Sequence, residues 1–233
     1  MGIAGTLYIF GIDGGGTGCR VAVCDQTGTR LGETSGGPAN FSTDHTSTIA
    51  NVRAAITKIA SDFGIAETDL NTSVARIGLA GILTDTDAAA MAGALPFAKS
   101  VVTDDRDTSL AGALGSADGV LAAIGTGTFV AARSKGAVRY FGGWGLNLSD
   151  QASGAWLGRK ALRQTVLAED GLVPHSDLTH ALLARTTDLP GMVDFARDAS
   201  PADFGALARD VIDAAASGDK NARHVVQKGA DYL

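Results

Sequence analysis

The sequence predicts an α/β protein of two related lobes, each opening with a three-stranded meander. Three observations carry this. A strand-like apolar run, a glycine/threonine turn and two more strand-like runs open the chain, and the same order returns about halfway along it. The first meander is followed by helical spacing interrupted by two short strand-like runs, the alternation that lays helices against a sheet. After the second meander only helical patterning remains.

The elements follow in order. Leu7-Tyr8-Ile9-Phe10-Gly11-Ile12-Asp13 reads as a buried strand, and Gly14-Gly15-Gly16-Thr17 turns the chain into a second strand from Cys19 to Cys24. Asp25-Gln26-Thr27-Gly28 is a turn, and Thr29 to Ser35 is a third strand. The glycine loop therefore joins two strands of a hairpin and does not lead into a helix. Ile49, Val52, Ile56 and Ile59 give helical spacing over 44–63. A strand is expected from Val74 to Ala80, then a helix from Asp85 to Ala94 capped by Thr84. Lys99 to Thr103 reads as a strand, with Asp104 and Asp105 at its C-terminal end and a short helix over Thr108 to Leu114.

The second meander comprises Gly119 to Ile124, the turn Gly125-Thr126-Gly127-Thr128, Phe129 to Arg133 and Ala137 to Phe141. Helices are expected over 151–169, 177–185, 190–198, 202–217 and 219–233. The expected domains are 1–104 and 105–233, the latter with a helical insertion. Three strands with no closing strand make the second lobe look incomplete at its C-terminus. Two facing lobes would form a cleft, where ligands usually bind.

Composition sets outer bounds. Hydrophobic residues are 45% of the 233 and charged residues 19%, so the chain can build a core and is not disordered. A net charge of −6 argues against nucleic-acid and anionic-membrane partners. The early apolar run is too short for a signal peptide or a membrane span. Two cysteines, Cys19 and Cys24, make neither a disulfide framework nor a four-ligand metal site; five apart on one strand, they face opposite sides and read as small buried hydrophobes. The four histidines show no ligand spacing. A cytoplasmic protein is expected.

Some residues carry chemistry. Gly14-Gly15-Gly16-Thr17 offers backbone N–H groups and φ freedom, a nest for anionic oxygens and above all phosphate. It is not a Walker loop or a dinucleotide fingerprint; the plain alternative is a glycine-rich hairpin. Asp13 beside such a nest is unfavourable by charge unless a cation such as Mg²⁺ lies between. Gly125-Thr126-Gly127-Thr128 repeats the device, which suggests a phosphate clamp. Asp104 or Asp105 could accept a proton from an attacking hydroxyl, or could cap a helix, as could Asp107 or Thr108. Trp144 and Asp150 flank a glycine-rich loop and form a sugar-binding pairing of ring face and hydroxyl acceptor, or else a core tryptophan and a helix cap. Asn40 carries the same ambiguity.

Gly11-Ile12-Asp13-Gly14-Gly15-Gly16-Thr17 resembles the first phosphate motif of the actin and hexokinase superfamily, and Gly125-Thr126-Gly127-Thr128 resembles its second. Gly142-Gly143-Trp144-Gly145 through Ser149-Asp150-Gln151-Ala152-Ser153-Gly154-Ala155-Trp156-Leu157-Gly158 is similar to the N-acetylglucosamine and glucosamine kinase branch of the BadF/BadG/BcrA/BcrD ATPase family. The similarity runs through essentially the whole chain. It implies a ribonuclease H-like fold of duplicated βββαβα domains and ATP-dependent phosphorylation of an amino sugar at its 6-hydroxyl, with room for a homodimer. Asp13 would hold Mg²⁺, and Gly14, Gly15, Gly16, Thr17, Gly125, Thr126 and Gly127 would cradle the phosphates of ATP. Asp105 would be the general base, preferred over Asp104 because Leu110-Ala111-Gly112-Ala113 lies at the family's spacing from it. Asn40, Asp105, Trp144, Gly145 and Asp150 would bind the sugar. The resemblance also admits an ATPase activator of a dehydratase or reductase, and a sugar-binding sensor without catalysis is a third reading. Two departures stand out. The family often has Gly-Asp-Glu-Gly-Ser where this chain has Ser149-Asp150-Gln151-Ala152-Ser153, which leaves the sugar open. Nothing matches the family's glycine-rich adenine-binding segment, so a chain ending at Leu233 would be expected to bind nucleotide poorly.

Overall fold

The computed structural model describes residues 6–233. Contacts divide them into two compact units, the first ending at Ala117 and the second running Asp118–Leu233.

The first unit is a five-stranded sheet with helices. Strands β1 (Ile9–Gly15), β2 (Gly18–Cys24) and β3 (Arg30–Gly36) form an antiparallel meander, and β4 (Val74–Leu79) and β5 (Lys99–Thr103) add in parallel, giving the order β3-β2-β1-β4-β5. Helix α1 (His45–Asp62) starts at the N-cap Asp44, whose side chain accepts from the Ser47 N–H at 2.9 Å. It lays Val52, Ala55, Ile56 and Ile59 on β2 and β3. A one-turn helix α2 (Glu67–Leu70), which the spacing did not predict, leads into β4. Helix α3 (Asp85–Gly93) is opened by the expected cap Thr84, which forms a capping box with Asp87. Phe10, Ile12, Val21, Val23, Ile77 and Leu79 are buried in the core beneath.

Helix α4 (Asp105–Leu114) begins three residues before the expected Thr108 start, with Asp104 as its N-cap. It packs on β4 and β1. The expected domain boundary after residue 104 and the contact boundary at Ala117 differ by this helix and the turn after it.

The second unit opens with an antiparallel sheet of β6 (Gly119–Ile124), β7 (Thr128–Ser134) and β8 (Ala137–Gly142), then turns helical. Helix α5 (Gly154–Glu169) is central and packs against α6 (Asp177–Arg185), α7 (Leu189–Asp198), α8 (Pro201–Gly205), α9 (Ala208–Ala216) and α10 (Lys220–Ala230). The single helix expected over 202–217 is broken at Ala206 and Leu207. At this crossing Gly158 of α5 lies so close to the Phe204 carbonyl that no Cβ would fit. Trp156, Leu162, Leu182, Met192, Phe204 and Val211 make this unit's own core. No helix among the described residues is long and apolar enough to cross a membrane.

Candidate active site

In the first unit the site grows from one row of residues across the sheet. The register sets Ser35 beside Arg20, Arg20 beside Asp13, Asp13 beside Gly78 and Gly78 beside Thr103. Side chains alternate across a strand, and the flanking Ile12, Val21 and Ile77 occupy the core face. The row therefore looks out from the opposite face, where α4 covers β4 and β1. Gly78 admits α4, since a Cβ there would collide with Thr108.

Asp104 and Asp105 follow directly from β5, and the fold gives them different work. The Asp104 carboxylate accepts the Arg106 N–H at 2.9 Å and pairs with the Arg106 guanidinium at 2.7 and 3.1 Å. It is a cap and half of an ion pair. Asp105 is the first residue of α4 and is half-buried. Its neighbours Asp13 and Asp107 are paired with Arg20 at 3.2 Å and Arg76 at 3.4 Å, whereas Asp105 has no ion-pair partner among the described residues. Burial first, then the charge of Asp104, and to a smaller extent that of Asp13, push its carboxyl up to about 6. A carboxylate with a pKa near neutrality and no counter-ion is suited to accept a proton.

The first glycine loop is a tight hairpin in which Gly15 pairs with Gly18 across Gly16 and Thr17. Neighbouring strands and loops hold its carbonyls: Gly14 O accepts the Ala80 N–H and Gly15 O the Ala39 N–H, both at 2.8 Å. None of Gly14, Gly15, Gly16, Gly125 and Gly127 has a positive φ. The φ freedom expected of these loops is not what requires glycine; at Gly14 and Gly127 space is. A Cβ on Gly14 would lie 2.5 Å from Leu79 Cδ2 and 2.8 Å from Ala39 Cβ, while one on Gly15 would meet nothing within 4 Å. Gly14 is therefore a packing glycine, and Gly15 leaves open surface. Asn40 bridges to Ala80 at the C-terminal end of β4, and its side-chain oxygen accepts from the Ser42 hydroxyl at 2.9 Å and the Thr43 N–H at 3.3 Å.

The second unit builds its loop against a helix end. Gly125 O accepts the Gly154 N–H at 2.8 Å and Thr126 O accepts the Ala155 N–H at 3.3 Å, so the turn satisfies two N–H groups of the first turn of α5. Gly125 itself borders open space. Asp150 lies beneath the same turn in a left-handed conformation (φ 60°) and is 7% exposed. The N–H groups of Thr128 and Gly145 hydrogen-bond to its carboxylate, and burial raises its pKa. Its Oδ1 is buried without a partner among the described residues. A Cβ on Gly127 would lie 2.9 Å from Asp150 Oδ2, so here glycine makes room for a carboxylate. Asp150 does not cap α5; Ser153 does, accepting the Trp156 N–H at 3.1 Å.

The loop from Gly142 to Gly145 does need glycine's freedom, with φ values of 72°, 75° and 84° at Gly142, Gly143 and Gly145. It presents Trp144 at 64% exposure, so Trp144 is not a core residue and Trp156 is. Cys19 is buried and Cys24 half-buried on opposite faces of β2. Among the described residues no group of three or more His, Cys, Asp or Glu could hold a metal by itself.

The sequence alone left the α4 start, the Asp104–Arg106 pair and the Asp13–Arg20 pair unread. An Asp-Asp-Arg string at a strand end was the available signal for the first two.

The model of the BadF/BadG/BcrA/BcrD ATPase family matches residues 10–233. The glucosamine kinase of Vibrio cholerae is 31% identical over 225 residues, covering 96% of this chain and 76% of that protein. The N-acetylmuramic acid/N-acetylglucosamine kinase of Clostridium acetobutylicum is 27% identical over 171 residues, covering 70% and 55% of the two chains. A solved structure from Chromobacterium violaceum, provisionally named an N-acetylglucosamine kinase, superposes with a TM-score of 0.88 at 32% identity, covering 98% of this chain and 81% of that one. The fold is that of the actin/hexokinase-like ATPases.

Proposed function

The chain belongs to the BadF/BadG/BcrA/BcrD ATPase family, and from that premise we propose that it is a hexosamine kinase, moving the γ-phosphoryl group of ATP to the 6-hydroxyl of glucosamine or N-acetylglucosamine. The observation that carries the reading is Asp105, a half-buried carboxylate at a strand end whose acid form persists to about pH 6. As the acceptor oxygen bonds to phosphorus and the bond to ADP breaks, Asp105 takes the hydroxyl proton. Such a transfer depends on placement and charge neutralisation more than on covalent help. Backbone N–H groups of Gly14–Thr17 and Gly125–Gly127 would cradle the phosphates. Asp13 is half-buried and faces the same side as the row toward Asp105. One carboxylate fits Mg²⁺ held jointly with substrate phosphates and water, and the bound cation would neutralise phosphate charge. Asn40, Trp144, Gly145 and Asp150 would hold the sugar, the carboxylate of Asp150 serving as hydroxyl acceptor. A cytoplasmic location follows from the use of ATP.

The test is ADP release, screened over glucosamine, N-acetylglucosamine, glucose and N-acetylmannosamine. Release stimulated at least tenfold by one of the two named hexosamines is the expected result. ATP hydrolysis indifferent to every sugar would instead mark an ATPase activator, and sugar binding with no ADP release a sensor.

A further inference from the structure

We propose that Asp104 and Arg106 are positioning residues for Asp105: Asp104 holds the Arg106 guanidinium to itself and so keeps the carboxylate between them without a counter-ion. The proposal rests on the kinase reading above and adds to it two residues that act through the base.

The pair is a closed clamp across the start of α4. Asp104 Oδ1 accepts the Arg106 N–H at 2.9 Å, and Oδ2 accepts Nε at 3.1 Å and Nη2 at 2.7 Å. Both carboxylate oxygens and one edge of the guanidinium are thereby committed. A planar guanidinium held through two nitrogens has a fixed orientation. The clamp is also sheltered: its side chains are 17% and 25% exposed, against 73% and 41% for Arg20 and Asp13.

Charge explains why the clamp matters. Asp105 lies between its two residues in the chain and is half-buried. A guanidinium released beside such a carboxylate would pair with it, pull its carboxyl down and turn a base into a structural ion pair. The other charges on this face are matched as well. Asp13 of β1 pairs with Arg20 of β2, and Asp107 of α4 pairs with Arg76 of β4. Three arginines are thus bound by three aspartates, and Asp105 is the carboxylate left over among the described residues. Burial and then the Asp104 charge hold its carboxyl up at about 6, while Arg106 pulls it down more weakly. The two halves of the clamp therefore act on Asp105 with opposite sign.

Titration of the Asp105 carboxyl by ¹³C NMR in the full chain, without nucleotide or sugar, decides the matter. The Asp105 signal is the one missing from Asp105→Asn. Asp104→Asn keeps an oxygen able to cap α4 but loses the charge that holds Arg106, so the Asp105 midpoint should fall by about one pH unit. Arg106→Gln leaves Asp104 uncompensated, and the midpoint should rise by about half a unit. Arg106→Lys keeps the charge and should recover part of that rise. The double variant, Asp104→Asn with Arg106→Gln, should lie between the two single ones. Arg30→Ala, which removes the same charge from the exposed Arg30–Glu33 pair on β3, should move nothing. A pair that only supports the fold would lower the melting temperature on substitution and leave the midpoint in place, so circular dichroism melts accompany each titration. Asp105 midpoints within about 0.2 unit of the unsubstituted chain's in both folded single variants overturn the proposal, as do shifts of the same sign. The acid limb of kcat/KM should move in the same directions as the midpoints. Failure of the unsubstituted chain to release ADP with either hexosamine overturns the kinase reading, and the midpoints then decide the clamp by themselves.

Discussion

Strands β1 and β6 open the two units with the same kind of apolar run, yet β1 buries one whole face and β6 buries no residue. Phe10 and Ile12 of β1 are 0% and 2% exposed; Val120 and Ile124 of β6 are 68% and 53% exposed. The difference is in their partners. β1 lies between β2 and β4, with α4 on one face and the core on the other, whereas among the described residues β6 pairs only with β7 in its sheet. Alternation along a strand tells which side chains share a face; it does not tell whether anything covers that face. The glycine turns differ in the same way. Gly14 packs against Leu79 and Ala39, while Gly127 makes room for the Asp150 carboxylate. Similar turns in sequence are supported by different neighbours.

The sharpest way to separate the units is at the carboxylates. Asp105→Asn should reduce turnover by about 10²–10⁴-fold and leave ADP affinity within twofold, as single-turnover and binding measurements would show; unchanged turnover would remove Asp105 from the chemistry. The pH dependence has a definite sign. Asp105 must be ionised to act, and its carboxyl is raised to about 6, so kcat/KM should fall tenfold per pH unit below about pH 6. The same shift makes the folded state bind protons more tightly than the unfolded one. The ionised group therefore costs stability above pH 6, and this cost fades as pH falls toward 4. Asp105→Asn should accordingly raise the melting temperature at pH 7.5 and not at pH 4.

Amide exchange tests the strands. Among the described residues β6 has one hydrogen-bonded neighbour and β1 has two, so β6 amides should exchange orders of magnitude faster than those of β1. Equal protection would break the comparison.

Glycine replacements come next in size. Gly14→Ala, with a Cβ 2.5 Å from Leu79 Cδ2, should destabilise the first unit by about 1–3 kcal/mol. Gly15→Ala meets nothing within 4 Å and should leave stability nearly unchanged while weakening ADP binding. The smallest expected effect is at Ala152, a residue with a Cβ held at φ 66°. Relieving the left-handed conformation by Ala152→Gly should stabilise the chain by about 0.5–1 kcal/mol in a denaturant titration, the steric relief exceeding the entropy that glycine adds.

Local chemistry alone determined much of this protein: two meanders, the hairpin turns between their first strands, helix α1 and its spacing, the Thr84 cap, and a pair of aspartates at the end of β5. These follow from side-chain period and turn residues, which act over a few positions and are written into consecutive letters. Tertiary structure decided the rest. It turned Asp104 into a cap held by Arg106 and left Asp105 without an ion-pair partner among the described residues; it buried Asp150 beneath a turn, exposed Trp144, and made Gly14 a packing residue. Each of these depends on which distant segment arrives beside a side chain and how much water it displaces, and burial and charge pairing act through space, where the order of residues along the chain gives little guidance.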